Sequence, residues 1–341
     1  MKVLVTGHNG YVGQVMVPML QAAGHDVVGL DTYFYEGCQF DDGPPVDSIR
    51  KDIRDLAPSD LEGFDAVVFL AALSNDALGD LDPGLTFAIN RDATIGCAKA
   101  AKAAGVPRFV FSSSCSLYGS AGDEVLTETA GMNPVTPYGR TKIEVEEALH
   151  ELADDDFSPT YMRNATVYGL SPSIRIDLVV NNLTGYAFAT GKVLMKSDGS
   201  PWRPLLHVQD MSRAFIAALG AERDVVHNEA FNVGRTEENY RIREVAEIVA
   251  EVVPDCELSF AEGASADIRN YRVNFDKIAK ALPAFAPQWT VRRGVEELYD
   301  AYRQHGLTAE ELESSRYLRI KTILALKDAE RLDDELRWTP S

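Results

Sequence analysis

The chain opens on Lys2-Val3-Leu4-Val5-Thr6-Gly7-His8-Asn9-Gly10-Tyr11-Val12-Gly13. The apolar run before the first glycine reads as a short buried strand, and Val12, Met16, Met19, Leu20 and Ala23 then recur at helical spacing. Strand, glycine turn and helix in this order make a nucleotide-binding corner. Glycines let the backbone approach a pyrophosphate, while the helix N-terminus supplies free N–H groups and the positive end of a dipole. Gly24 is expected to stop the helix, and Pro18, inside it, to kink it or shift its start. The glycine spacing is G-x-x-G-x-x-G rather than the common G-x-G-x-x-G, so the turn needs support from the residues that follow.

The second strand, Asp26-Val27-Val28-Gly29-Leu30, gives that support by ending in Asp31, where an acid can accept both ribose hydroxyls of an adenosine. Its charge would repel a 2′-phosphate, and Thr32, Tyr33 and Phe34 bring no arginine to hold one. The expected cofactor is NAD rather than NADP. Further along, Ser112-Ser113-Ser114-Cys115-Ser116-Leu117-Tyr118-Gly119 is followed by Tyr138-Gly139-Arg140-Thr141-Lys142. On a helix, Tyr138 and Lys142 lie one turn apart on one face. A free phenol has a pKa near ~10, so Tyr138 becomes a useful base only where Lys142 and a cationic cofactor favour its ionised form.

With Gly7, Gly10 and Gly13, Leu70-Ala71-Ala72, Asn90, the Ser114 run and Tyr138/Lys142 in place, the chain resembles an extended short-chain dehydrogenase/reductase of the NAD-dependent nucleotide-sugar epimerase/dehydratase family. The resemblance covers roughly residues 1 to 300. Arg163-Asn164-Ala165-Thr166-Val167-Tyr168-Gly169, Trp202 to Asp210, and Asn232-Val233-Gly234 are similar to later landmarks of that group. It implies an α/β fold, a Rossmann-type doubly wound parallel sheet with a smaller, interleaved C-terminal lobe. Residues 1–165, with a return segment near 205–235, would bind NAD. Residues 166–204 and 236–300 would form the substrate lobe, and 301–341 a helical C-terminal extension.

The resemblance also assigns residues. Gly7, Asn9, Gly10, Tyr11, Val12, Gly13, Asp31, Asp52, Ile53, Leu70, Ala71, Ala72, Asn90, Ser112, Tyr138, Lys142, Asn164 and Val167 would hold NAD, with Asp52-Ile53 at the adenine. Ser114, Tyr138 and Lys142 would be catalytic. Tyr138 takes the proton of a sugar hydroxyl, most simply at C4, as hydride passes to the nicotinamide; Ser114 orients the same oxygen. Ser74, Ser114, Ser116, Thr166, Arg175, Asn181, Asn182, Arg203 and Arg269 are candidates for the nucleotide-sugar, the arginines because their forks match phosphate oxygens. Thr166 stands where relatives often carry Asn.

The residues after Ser114 bear on the reaction. Relatives that eliminate water carry an acid pair there, whereas this chain has Cys115 and Ser116, which favours an isomerase that oxidises and re-reduces C4. An NAD(P)-dependent keto-sugar reductase or a 4,6-dehydratase stays an alternative, as does, more remotely, a non-catalytic NAD-binding regulator. Cys115 is read as a small residue packed beneath the cofactor.

Composition fits without deciding. A chain of 341 residues with 45% hydrophobic content can bury a large core, and a net charge of −19 argues against a nucleic-acid partner. The four cysteines are scattered with no C-x-x-C, so neither a disulfide framework nor a metal site is expected. No stretch has the length of a membrane span and no signal peptide precedes the first strand, so a cytoplasmic enzyme is expected. The resemblance adds a homodimer formed through the helices carrying Asn90 and Tyr138. The tail, Thr308 to Trp338, reads as amphipathic helix, set to cover either the substrate lobe or a subunit contact.

Overall fold

A computed structural model describes residues 1–41, 43, 45–74, 82–265 and 270–340. The first half alternates strand and helix: β1 (Lys2–Thr6), α1 (Gly13–Ala22), β2 (Asp26–Asp31), β3 (Asp47–Arg50), β4 (Ala66–Phe69), α2 (Pro83–Phe87), α3 (Ala93–Ala103), β5 (Arg108–Ser114), β6 (Ser120–Leu126), α4 (Pro137–Leu152) and β7 (Ser158–Asn164). There follow β8 (Thr166–Tyr168), α5 (Val179–Thr190), β9 (Lys192–Ser197), β10 (Trp202–His207), α6 (Val208–Gly220), α7 (Arg223–Val226) and β11 (Glu229–Val233). The chain closes with β12 (Asn239–Arg241), α8 (Ile242–Val252), β13 (Glu257–Ser265), β14 (Asn270–Val273), α9 (Asp276–Ala281), α10 (Val291–His305), α11 (Ala309–Leu312) and α12 (Arg319–Asp328).

Seven strands form one sheet in the order β11-β7-β5-β4-β1-β2-β3, and every pair in it is parallel. This is the doubly wound Rossmann sheet expected from the sequence. Both faces are covered at its centre, which is why β1 and β4 are apolar runs rather than alternating, whereas the edge strand β3 is polar and exposed. On β1, Val3 and Val5 enter the core under α1 and α6, while Leu4 joins Phe69, Phe109 and Phe111 against α3 and α4. A third apolar cluster is built on Ile176, Val180, Val245 and Val291, from the segments expected to form the smaller lobe, and on Tyr302 beyond them.

Local differences have physical causes. Helix α1 runs through Pro18 as an assigned helix, starting at Gly13 and ending one residue before Ala23, whose N–H bonds back to Met19. The helical stretch that carries Asn90 begins at Pro83, capped by the Asp82 carboxylate on Leu85 N, and contains a π-helical turn at Ala88–Asp92 before α3. That turn holds Asn90. The tail is not one helix: α11 and α12 are separated, and the chain ends in a bridge between Leu332 and Trp338.

Candidate active site

The parallel sheet brings the carboxyl ends of β1, β2, β4, β5 and β7 to one edge, and β1 and β4 are neighbours where the strand order reverses. Ligands bind at such a switch point. Gly7 sits there with φ of +74°, and a Cβ on it would lie 2.9 Å from Ala71 N. Gly13 is required differently: its Cβ would meet His8 O at 2.4 Å and Gly7 O at 2.5 Å, so the turn closes onto α1 only without a side chain.

Two adjoining clefts follow this edge. The first, about 160 Å³, is lined by Gly7, Gly10, Tyr11, Val12, Asp31, Asp52, Ile53, Leu70, Ala71, Ala72 and Ser74, together with Tyr35, Arg175 and Arg319. Asp31 accepts from Asn9 N at 3.0 Å and from Tyr33 N at 2.8 Å, which fixes the carboxylate and leaves lone pairs for two ribose hydroxyls. Burial raises its pKa, against those two donors and the neighbouring His8. Asp52 caps a turn of 3-10 helix through Arg54 N and pairs with the Arg54 guanidinium at 2.6 Å.

The second cleft, about 490 Å³, is lined by Ser112, Ser114, Ser116, Tyr138 and Lys142 among others. Period-two alternation along β5 puts the Ser112 and Ser114 side chains toward it and turns that of Ser113 away, while Cys115 begins the 3-10 turn that follows. Ser113 donates to Glu146, whose carboxylate also pairs with Arg163 at 2.6 Å in a buried ion pair beneath the cleft. The Cys115 thiol donates to Arg163 O at 3.1 Å, is fully buried and does not line either cleft; burial pushes its pKa far up, so it is no acid/base group. Ser114 Oγ accepts from Ser116 N at 3.1 Å, while Ser116 Oγ is buried, lines the cleft and has no partner in the structure.

Helix α4 is started by Thr136, whose side chain accepts from Gly139 N, and by Pro137 in its first turn. This start sets Tyr138 and Lys142 on the cleft side. Lys142 Nζ donates to Ser112 O at 2.6 Å and lies 5.2 Å from the centre of the Tyr138 ring. Burial pulls the pKa of Lys142 down to about 7, with Glu146 opposing the shift. Asn164, paired in register with Ser114, donates to Ser112 Oγ at 3.2 Å and Ser113 O at 3.0 Å. Thr166, Val167, Arg175 and Arg203 line the same cleft.

Several expected contacts are redirected. Asn181 is fully buried and spends its side chain on Gly169 N, Gly169 O and Arg175 O, and Asn182 donates to Ile176 O at 3.1 Å. They fix the loop carrying Arg175 and line neither cleft, so their assignment as substrate contacts is corrected. Asn90 likewise clasps Leu73 N and O at 2.8 and 2.9 Å, and Asn9 bonds Gln14, so both shape the cofactor's walls from behind. Arg269 lies outside the described residues. Tyr271, Tyr35 and Arg319 were not signalled by the sequence, because nothing in their local pattern separates them from ordinary core or surface positions.

A glycine turn that a Cβ would block and an anchored Asp31 carboxylate at the first cleft, with a Tyr138–Lys142 pair at the adjoining one, are the arrangement a dinucleotide-dependent oxidoreduction site requires. Residues 3–234 match the model of the NAD dependent epimerase/dehydratase family, and the chain belongs to that family. It is 30% identical over 269 residues, 74% of this chain and 80% of the relative, to a UDP-glucose 4-epimerase of Corynebacterium glutamicum. The solved protein MoeE5, in complex with UDP-glucuronic acid and NAD, is 28% identical with a TM-score of 0.77, covering 89% of this chain and 99% of that one. The dTDP-glucose 4,6-dehydratase DesIV from Streptomyces venezuelae shares the fold at a TM-score of 0.78 and 22% identity, covering 91% and 100%. The chain is thus an NAD-dependent sugar epimerase or dehydratase. Among the described residues no helix is long and apolar enough to cross a membrane.

Proposed function

We propose that this enzyme is a nucleotide-sugar 4-epimerase, an isomerase that oxidises C4 of a bound sugar and re-reduces it on the other face. The observation that carries the reading is the make-up of the reaction cleft. Tyr138, Lys142 and Ser114 line it, and among the described residues its lining includes one carboxylate, Asp177, which is held by a fork from Arg175 at 3.1 and 2.6 Å. Elimination needs a carboxylic acid to protonate the departing hydroxyl. The Arg175 fork keeps Asp177 ionised and below its ordinary pKa, and Cys115 is sealed in the core, so among the described residues no lining side chain is suited to that step.

The walls around Gly7, Asp31 and Lys142 fit NAD, which when bound accepts hydride from the sugar carbon and returns it. The chain's own residues handle the proton. Tyr138 removes it from the C4 hydroxyl and gives it back, Ser114 holds the same oxygen, and Lys142 supplies the charge that steadies the tyrosinate. A tyrosinate beside it raises the affinity of Lys142 for its own proton, so the two groups titrate as a pair. Arg203, buried in the lining, is the proposed contact for the substrate diphosphate. The relatives named as UDP-glucose 4-epimerases, and MoeE5 with its UDP-sugar, make UDP-hexoses the first substrates to try.

The test is to release dinucleotide from the denatured protein and to follow C4 stereochemistry by NMR with UDP-, dTDP-, GDP- and CDP-sugars. Bound NAD and a C4 epimer are expected. Tyr138→Phe should keep NAD and lower turnover at least about a hundredfold, the usual worth of a general acid–base. A 4-keto-6-deoxy product would overturn the epimerase reading in favour of dehydration, and an unchanged rate in the variant would remove Tyr138 from its role.

A further inference from the structure

The tail beyond residue 307 crosses from the small lobe to the NAD-binding domain, over the adenosine end of the cofactor cleft. Leu312 and Tyr317 pack into the lobe's core, whereas Ile323, Leu332 and Leu336 pack into the sheet's core with Leu30 and Ile53. Its last turn is pinned beside the adenine site. Trp338 Nε1 donates to Thr32 O at 2.6 Å, Arg54 donates to Glu335 O at 2.7 Å, and Arg337 pairs with Asp55 and, at 3.6 Å, Asp52.

Between these anchors stands Arg319, 4% exposed and lining the cofactor cleft. Its Nη2 donates to Ser173 O at 3.1 Å and Ser173 Oγ at 2.6 Å, and its guanidinium carbon sits 3.9 Å from the centre of the Tyr35 ring. Nη1 is buried with no hydrogen-bond partner, and no carboxylate among the described residues lies within ion-pair distance of Arg319. Its neighbour Arg175, by contrast, is already matched by Asp177. A buried, unmatched cation carries a large desolvation cost, which an anion brought into the cleft would offset. Burial accordingly pulls Arg319 below the ordinary arginine pKa.

We propose that Arg319 is a cofactor-binding residue, delivered by the C-terminal tail, whose free Nη1 edge takes the diphosphate of NAD while the tail straps the adenosine half in place. The diphosphate is preferred to a 2′-phosphate because Asp31, with its carboxylate, occupies the ribose end of the same cleft. Residue Arg319 thereby adds to the glycine turn a side-chain charge that the turn itself lacks. The inference rests on NAD as cofactor and not on the C4 reaction.

Calorimetry of the full chain, freed of bound dinucleotide, against NAD, NADP, ADP-ribose and adenosine tests it, with Arg319→Met and Arg319→Lys compared to the parent. Loss of a charge-assisted bond should weaken NAD and ADP-ribose by about tenfold or more in Arg319→Met, with adenosine changed less than about twofold. Arg319→Lys, keeping charge but not the fork, should fall between, and it carries the comparison should Arg319→Met fail to fold. Equal losses for all four ligands would reduce Arg319 to packing of the strap. A loss confined to NADP would assign it to a 2′-phosphate, and no loss would end its role, as would a parent chain that binds no ADP-ribose. Failure of the epimerase reading would appear in sugar stereochemistry and not in these affinities.

Discussion

At Lys142 the demands of the reaction and of the fold oppose each other. An ammonium held 3% exposed loses most of its hydration, and its pKa falls to about 7 from the ~10.4 of a free lysine. Between those values the unfolded chain binds a proton that the folded chain does not. Folding therefore becomes more favourable as pH rises through this window, and the full cost is present below it. Replacing Lys142 by Met should raise stability at pH 7 by on the order of 1–3 kcal/mol while abolishing turnover, and the gain should shrink toward pH 10. Urea unfolding of both proteins across pH 7 to 10 measures it; a variant less stable than the parent at pH 7 would mean that the bond to Ser112 O outweighs the buried charge. The sequence placed Tyr138 and Lys142 on one face through their spacing alone. It gave no sign of the cost, because burial comes from Phe111 and the strands beneath.

Elements differ in how tightly they bind their own sequence. The turn from β1 to α1 was legible because two of its glycines answer to steric limits that no other residue meets. Gly13→Ala should cost about 1–3 kcal/mol and weaken NAD binding, since a Cβ would press against backbone oxygens of His8 and Gly7. Gly10→Ala should be milder, because its Cβ would stand 3.2 Å from a single atom, Gly7 O. Thermal unfolding and NAD titration of the two variants check this order, and equal effects would show that the turn relaxes as a unit. Helix α4 was legible through the Tyr138–Lys142 spacing, while its start at Thr136 and Pro137 is seen in the structure. The loop before α5 was not: Asn181 and Asn182 look like ligand contacts, and only the fold shows their amides closing Gly169, Arg175 and Ile176 into place.

Over the whole molecule, charge and connectivity act together. A net charge of −19 on 341 residues repels itself, and salt shortens the reach of that repulsion to about 8 Å at physiological ionic strength. The melting temperature should therefore climb by several degrees between about 0.02 and 0.5 M sodium chloride, the range over which screening changes most. Differential scanning calorimetry gives the answer, and a flat profile would mean that local ion pairs already balance the surface. Connectivity is where the tail matters: it enters both the lobe's core and the sheet's core, so it ties the two together across the cofactor cleft rather than capping either alone.

Sequence by itself determined the parallel sheet, the glycine corner between β1 and α1 and the placing of Tyr138 and Lys142 on one helix face, because those features rest on short-range rules: alternation of strand and helix, glycine where a Cβ cannot stand, and one helical turn between Tyr138 and Lys142. The tertiary structure alone decided which polar residues face the clefts and which hold loops, that Cys115 is sealed from both clefts, and that Arg319, 177 residues beyond Lys142, lines the cleft adjoining that of Lys142. Those outcomes depend on what packs against each side chain from distant parts of the chain, and local pattern carries no record of it.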